Sequence, residues 1–274
     1  MLPRLRVGSN DVIALTDGTG PFFDARVNAF PDAGDAQWEA ADRFDPGAVN
    51  ADGRWMLQFR AFAIRSDTHT LVVDAGIGPA DSPAAAWAPV PGRLPEELAA
   101  AGIDPADVDS VVLTHLHTDH VGWAVVGAER RAYFPNARYL IQQAELDAID
   151  RINPQLQESL VDPLLGAGQL GIIAGDTALG RDVQIVATPG HTPGHQSVLV
   201  ESGRDLLAVT GDLLVHAVQL LHPELAYAFE DDPAAARRSR ESLLQRLAEA
   251  GGHLAAPHLT EPFVPVAARD SGTT

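Results

Sequence analysis

Three histidines and one aspartate crowd into "HLHTDH", residues 115–120, directly behind the apolar run "VDSVVL". Imidazole and carboxylate are ligands for borderline divalent ions such as zinc. In an extended segment residues two apart face the same way, so His115 and His117 converge on one point at the end of a strand. Asp119 and His120 follow where the chain must turn into "VGWAVV", and they aim at a neighbouring point. Two metal ions held side by side suit this arrangement. The plainer alternative is a polar turn with satisfied hydrogen bonds, and a local motif gains weight only when its surroundings agree. Here they agree. His191 in "TPGHTPGH", Asp212 in "VTGD" and His258 in "AAPH" each stand at the end of a further apolar strand.

Those strands alternate with helices along the chain. "DVIAL" (11–15), "LQFRAFAI" (57–64) and "HTLVVDAG" (69–76) read as strands, the last two as a hairpin through "RSDT". "RLPEELAAAG" reads as a short helix closed by Gly102, "VDSVVLTH" as a buried strand and "NARYLIQQAELDAID" as a strand followed by a helix. "VQIVATPG", "QSVLVES" and "DLLAVTGD" are three more strands. "DPAAARRSRESLLQRLAEAGG" is a helix with Asp232 as its N-cap, and "HLAAPH" is a last strand. Two sheets packed face to face with helices outside, within one α/β domain over residues 1–274, is the expected architecture. Residues 17–55 are expected as a long loop rich in aromatics.

Composition removes several functions. The formal net charge of -18 and the absence of lysine disfavour nucleic acid and anionic membranes as partners, and rule out Schiff-base and Walker-A chemistry. The chain has no cysteine, so any metal must be held by His and Asp or Glu. No stretch approaches the length of apolar chain that spans a bilayer, and a cytoplasmic location is expected.

Through "HLHTDH", "TPGHTPGH", "TGD" at 210–212 and the distal His258, the sequence resembles the metallo-β-lactamase fold superfamily over most of its length. The resemblance implies a four-layer αββα sandwich. It also implies a dinuclear site in which His115, His117 and His191 hold one ion, Asp119, His120 and His258 hold the second, and Asp212 bridges both. Zinc is expected, with Mn2+, Fe2+ and Co2+ as alternatives; oxygen-reducing di-iron members tend to carry a carboxylate where this chain has His117, which favours hydrolysis. The stretch "GDLLVHAVQLLHPELAYAFEDDPAAARRSR" is similar to the branch of methyl parathion hydrolase and the quorum-quenching lactonases. Three departures narrow the field. Many acyl homoserine lactonases place a tyrosine three residues after the bridging aspartate, and here that residue is Val215. The basic glutathione-binding domain of glyoxalase II has no counterpart, and zinc β-lactamases tend not to use an aspartate at the position of Asp212.

The expected activity is therefore hydrolysis of small esters or lactones through a metal-bridging hydroxide, with Asp119 passing a proton to the leaving group. Aryl phosphotriester hydrolysis is the alternative within the enzyme class, and a non-catalytic metal-binding module is the alternative outside it. Among the remaining residues, Asp74 would orient an imidazole or simply end a strand, and His195 would pin its loop by hydrogen bonding. His216 and His222 would line the pocket or sit in a helix or loop, while His69 and His253 look structural. The aromatics Phe22, Phe23, Phe30, Trp38, Phe44 and Trp55 would cap the metal site, fill a small core of their own or meet a partner in a homodimer.

Overall fold

The computed structural model describes residues 2–267. Its first sheet takes strands β1 (Arg4–Val7), β2 (Asn10–Pro21), β3 (Met56–Arg65), β4 (Thr70–Val73) and β5 (Ser110–Val112) in sequence order. A short ribbon of β6 (Val125–Val126) and β7 (Arg131–Ala132) stands apart, and β8 (Arg138–Gln142) and β9 (Leu170–Ile173) complete the first sheet beside β5. The second sheet runs β10 (Thr177–Ala178), β11 (Val183–Ala187), β12 (Gln196–Ser202), β13 (Asp205–Val209), β14 (His253–Ala255) and β15 (Phe263–Pro265).

Why the strands read as unbroken apolar runs follows from what covers them. Side chains alternate between faces, and both faces of each sheet are buried, so no polar beat survives. Val12 and Ala14 of β2, Phe62 and Ile64 of β3, Val198 and Val200 of β12 and Leu207 and Val209 of β13 meet between the sheets. Their neighbours Ile13, Leu15, Ala61 and Ala63 turn outward under the helix Leu94–Ala101 and the segment 149–164. Leu199, Leu206, Ala208 and Leu254 turn outward under the helix Pro233–Ala250 through Leu243, Leu244 and Leu247. The result is the αββα sandwich.

Strand direction places the chemistry. β4, β5 and β8 are parallel, β13 and β14 are parallel, and β11 runs antiparallel to β12, which runs antiparallel to β13. The C-terminal ends of β11, β13 and β14 therefore lie along one edge of the second sheet, and those of β4 and β5 along one edge of the first. Gly102 closes its helix at φ 68°, and Asp232 caps the long helix by accepting from the Ala235 amide at 2.9 Å.

Residues 17–55, expected as one long loop, carry structure of their own: β2 continues to Pro21, and helices occupy Arg26–Ala29 and Asp35–Phe44. The reason is a local apolar cluster in which Phe30, Trp38 and Trp55 are all buried.

Candidate metal centre

All seven proposed donors meet where the two strand edges face each other. Potential ligand atoms of His115, His117, His191 and Asp212 lie within 4.8 Å of one another, as do those of Asp119, His120 and His258. The two oxygens of Asp212 divide between the groups. Oδ2 is 3.3 Å from His191 Nε2 and 3.8 Å from His115 Nε2, while Oδ1 is 3.0 Å from His258 Nε2 and 3.3 Å from His120 Nε2. His117 Nδ1 approaches His191 Nε2 at 3.0 Å, and Asp119 Oδ2 is 3.5 and 3.6 Å from His120 and His258 Nε2.

Hydrogen bonds on the far side of the rings fix which nitrogen faces inward. His120 Nδ1 donates to Asp74 Oδ2 at 2.8 Å, and His258 Nδ1 donates to the Gln58 carbonyl at 2.7 Å. The Thr114 hydroxyl donates to Asp74 at 2.9 Å, which leaves its oxygen to accept from His115 Nδ1 at 3.0 Å. With Nδ1 protonated, Nε2 of each ring keeps a lone pair. Nε2 of His115 and His120 and Oδ1 of Asp212 are buried without any hydrogen-bond partner among the described residues. Converging buried acceptors with nothing to accept from are costly in a protein on its own, and a cation is the group that satisfies them. The donor set of imidazoles and carboxylates, with no thiolate, fits zinc and its neighbours in the first transition row.

Electrostatics follow from this crowding. Burial, reinforced by neighbouring imidazoles, holds His115 and His117 well below the usual histidine range, in the neutral form a metal needs. His120 and His258 are also buried, but the facing carboxylates of Asp212 and Asp119 carry them above that range. Burial would raise Asp212, yet His258 and His120 hold it well below the usual carboxylate range, whereas in Asp119 burial prevails and the pKa rises.

The backbone around the site is built for close approach. Asp74 sits at φ 63° and accepts from the Thr114 amide at 2.7 Å, so it ends β4 and holds an imidazole at once. Gly211 has φ 51°, and a Cβ there would lie 2.7 Å from the Thr114 side chain and 2.9 Å from His195 Nε2. His195 donates through Nδ1 to the Thr188 carbonyl at 3.0 Å and belongs to neither donor group, which is the loop-pinning arrangement.

Other histidines stand away from the metal end. His216 does not line the cavity; Phe30, Trp38 and Trp55 enclose its ring, and its Nδ1 accepts from the Val218 amide at 3.0 Å. His222 faces Glu224 at 3.4 Å and His69 faces Asp109 at 3.4 Å. His253 begins β14, so the strand itself separates it from His258.

Five of the proposed donors, His117, Asp119, His191, Asp212 and His258, form the floor of a cavity of about 530 Å³ whose wall includes Phe22, Phe23, Trp55, Trp87, Tyr227 and Phe229. The aromatics of 17–55 thus divide: Phe22, Phe23 and Trp55 face the cavity, Phe30 and Trp38 build the cluster around His216, and Phe44 is exposed. Two residues with a part in the site were not expected. Glu145 accepts from the Leu116 amide at 2.8 Å and the Gly194 amide at 2.9 Å, tying the loop of His115 and His117 to that of His191. Tyr227 stacks on the His191 imidazole with centroids 6.0 Å apart at 17°. Glu145 gave no signal inside an ordinary helical pattern; Tyr227 did, as the aromatic of "LAYAF" in a segment too short for a strand or helix.

A family model of the metallo-beta-lactamase superfamily matches residues 60–252, a span holding every proposed donor but His258. The chain belongs to this superfamily. Among curated members, it is 35% identical over 120 residues to an N-acyl homoserine lactonase of Bacillus sp, covering 43% of this chain and 44% of that one. It is also 35% identical over 130 residues to the lactonase AttM of Azorhizobium caulinodans, covering 41% and 44%. These matches span less than half the length of the relatives. Solved structures share the fold over nearly the whole chain: AidC, a dizinc quorum-quenching lactonase in complex with a product, superposes with TM-score 0.81 at 22% identity, covering 99% of this chain and 95% of that one. The hydrolase AbOPH superposes with TM-score 0.78 at 24% identity, covering 99% and 98%.

Proposed function

We propose that this protein is a dinuclear metal-dependent hydrolase of small esters and lactones, with acyl homoserine lactones as the leading substrate class. The observation that carries the reading is Asp212, whose two oxygens face two separate groups of buried ring nitrogens, two of which, Nε2 of His115 and of His120, have no other partner among the described residues. The substrate class rests on the relatives, which are named as lactonases and match this chain over less than half their length. Two divalent ions, with zinc the expected identity, would supply Lewis-acid polarisation and a water acidified toward about pH 7. His115, His117 and His191 would hold one ion, Asp119, His120 and His258 the other, and Asp212 both.

The chain's own residues do the rest. Asp74, Thr114 and the Gln58 carbonyl keep the imidazoles in the tautomer that points Nε2 inward. The aromatic wall excludes water from the acyl end of a substrate and leaves the carbonyl end at the polar floor. Asp119, on that floor, is the group we assign to pass a proton to the departing alkoxide. Aryl phosphotriester hydrolysis is not favoured by the relatives, and a non-catalytic module is not favoured by an intact donor set. No helix among the described residues is long and apolar enough to cross a membrane. A cytoplasmic location and a homodimer complete the proposal, to be tested by fractionation and light scattering.

The deciding experiment measures kcat/KM of zinc-loaded protein on N-hexanoyl homoserine lactone and on an aryl phosphotriester, with metal-stripped protein and Asp212→Ala as controls. The lactone is expected to be turned over at about 10⁴ M⁻¹s⁻¹ or faster, within the ordinary enzyme range. The triester should be far slower, and both controls should be inactive and low in metal. Full turnover by Asp212→Ala would overturn the bridging assignment, and a faster triester would reverse the order of substrates.

A further inference from the structure

A tyrosine hydroxyl in a largely apolar wall is an unusual group to leave without a partner. Tyr227 is only 6% exposed, its hydroxyl makes no hydrogen bond among the described residues, and that hydroxyl is not sealed in the core but opens on the cavity. Its ring has little freedom. It stacks on His191, and Phe30 and Phe229 pack against it with centroids 5.3 and 5.2 Å away. The loop that carries it is clamped by the buried Arg240, which donates to the Pro223 carbonyl at 3.0 Å, the Leu225 carbonyl at 2.9 Å and Glu230 at 2.7 Å. A fixed phenol therefore lines the same cavity as Asp119, Asp212 and His258.

Several other donors along that lining are already committed. The Trp87 indole donates to Thr118 at 3.1 Å, Asn153 donates to the Leu116 carbonyl at 2.7 Å, and Arg151 is paired with Asp231. Val215, on the same lining, offers only methyl groups. A donor held open to the cavity by a packed ring is already placed for an acceptor that a ligand supplies. At the meeting of an apolar wall and a polar floor, the acceptor a hydrophobic ester or lactone presents is its carbonyl oxygen.

We propose that the Tyr227 hydroxyl donates a hydrogen bond to the scissile carbonyl oxygen of the substrate and to the charge that develops there. This rests on the ester or lactone hydrolase reading given above. In the step concerned, the oxygen of water bonds to the acyl carbon and the C=O π pair moves onto the carbonyl oxygen. The pair then returns as the acyl C–O bond breaks, and the leaving alkoxide takes up the proton that water released. Tyr227 keeps its own proton throughout and contributes a bond that strengthens as its acceptor gains charge.

The test compares wild type with Tyr227→Phe, which removes one oxygen and keeps the ring packing. Metal content and thermal midpoint are measured first, then kcat and KM on N-hexanoyl homoserine lactone, then calorimetric affinity for the corresponding lactam, which keeps the carbonyl but resists hydrolysis. The variant is expected to hold its metal, to lose roughly ten- to hundredfold in kcat/KM, mostly in kcat, and to bind the lactam roughly three- to tenfold more weakly. Wild-type turnover with Tyr227→Phe within twofold on both readouts overturns the assignment and leaves the hydrolase reading intact. Loss of metal in Tyr227→Phe also overturns it, because the hydroxyl would then be supporting the metal site rather than meeting the substrate. A wild type that binds lactam but hydrolyses nothing, with binding weakened in Tyr227→Phe, overturns the hydrolase reading and keeps the donor. A wild type that neither hydrolyses the lactone nor binds the lactam overturns both.

Discussion

A histidine at this site is defined as much by the nitrogen turned away from the cavity as by the one turned toward it. His120 is the clearest case, since Asp74 both accepts its Nδ1 proton and collects two hydrogen bonds from Thr114. Replacing Asp74 with Ala should free the ring to rotate and to change tautomer, weakening ion binding by roughly 10- to 100-fold. Chelator competition measures this directly, and undiminished affinity in Asp74→Ala would show that packing alone orients the ring. His216 supports a second prediction at this scale. Burial, with the charge of Arg26 adding to it, lowers its pKa to about 3. Falling pH therefore protonates the unfolded chain first, so the contribution of His216 is complete above about pH 6.5 and drains as pH falls toward 3. At pH 5 that is a loss of about 2 kcal/mol relative to neutral pH. His216→Asn keeps an acceptor for the Val218 amide and removes the titration, so its denaturation midpoints should depend less on pH between 7 and 5 than those of the parent; parallel profiles would refute the assignment. That the seven proposed donors would gather at one place was legible in the sequence because each follows an apolar run, where a strand must end and side chains are released from sheet packing. Glu145 was not, since its role depends on the Gly194 amide, and Tyr227 showed only as an aromatic in a short segment, its place against the His191 ring being a contact that the tertiary fold creates.

At the scale of elements, strands buried on two faces announced themselves as apolar runs, which is why β3, β5, β12 and β13 were readable. The edge strands β1 and β15 and the short β10 were not: "RLRV", "FVP" and "TA" carry too little periodicity to distinguish from loop, and pairing with a neighbour is what makes them strands. The helix Pro233–Ala250 shows the opposite difficulty. Its cap was plain, but among its four arginines nothing marked Arg240, which is fully buried and paired with Glu230 at 2.7 Å while also donating to the Leu213 carbonyl at 3.1 Å. One side chain thereby ties the helix to the loop that carries Val215 and Tyr227. Arg240→Met would leave Glu230 buried without its counter-charge and should cost about 3–5 kcal/mol in urea unfolding. Adding Glu230→Gln should recover part of that loss, because the two changes share one interaction. A single-variant cost below about 1 kcal/mol would mean that water reaches the pair readily.

For the whole molecule the dominant quantity is charge. A net -18 distributed over 274 residues surrounds the cavity with a negative far field, while bound cations would reverse the sign only at the floor. An anionic ester should therefore meet repulsion on approach that a neutral lactone does not feel. Ester hydrolysis also turns a neutral molecule into a carboxylate, so the same field that slows an anionic substrate favours departure of the product. Raising ionic strength from about 0.01 M to about 0.15 M shortens the screening length from about 30 Å to about 8 Å, which hides most surface charge from an approaching molecule while leaving the buried donors unscreened. Over that range kcat/KM for a carboxylate-bearing ester should rise several-fold, roughly the size expected when steering is screened, and kcat/KM for an uncharged lactone should stay nearly flat. Because the comparison is made on one enzyme with one metal load, an equal salt response in the two substrates would place the effect in the protein's stability or metal content rather than in its field, and a fall for the anionic ester would mean that the cations at the floor govern approach at long range as well as binding.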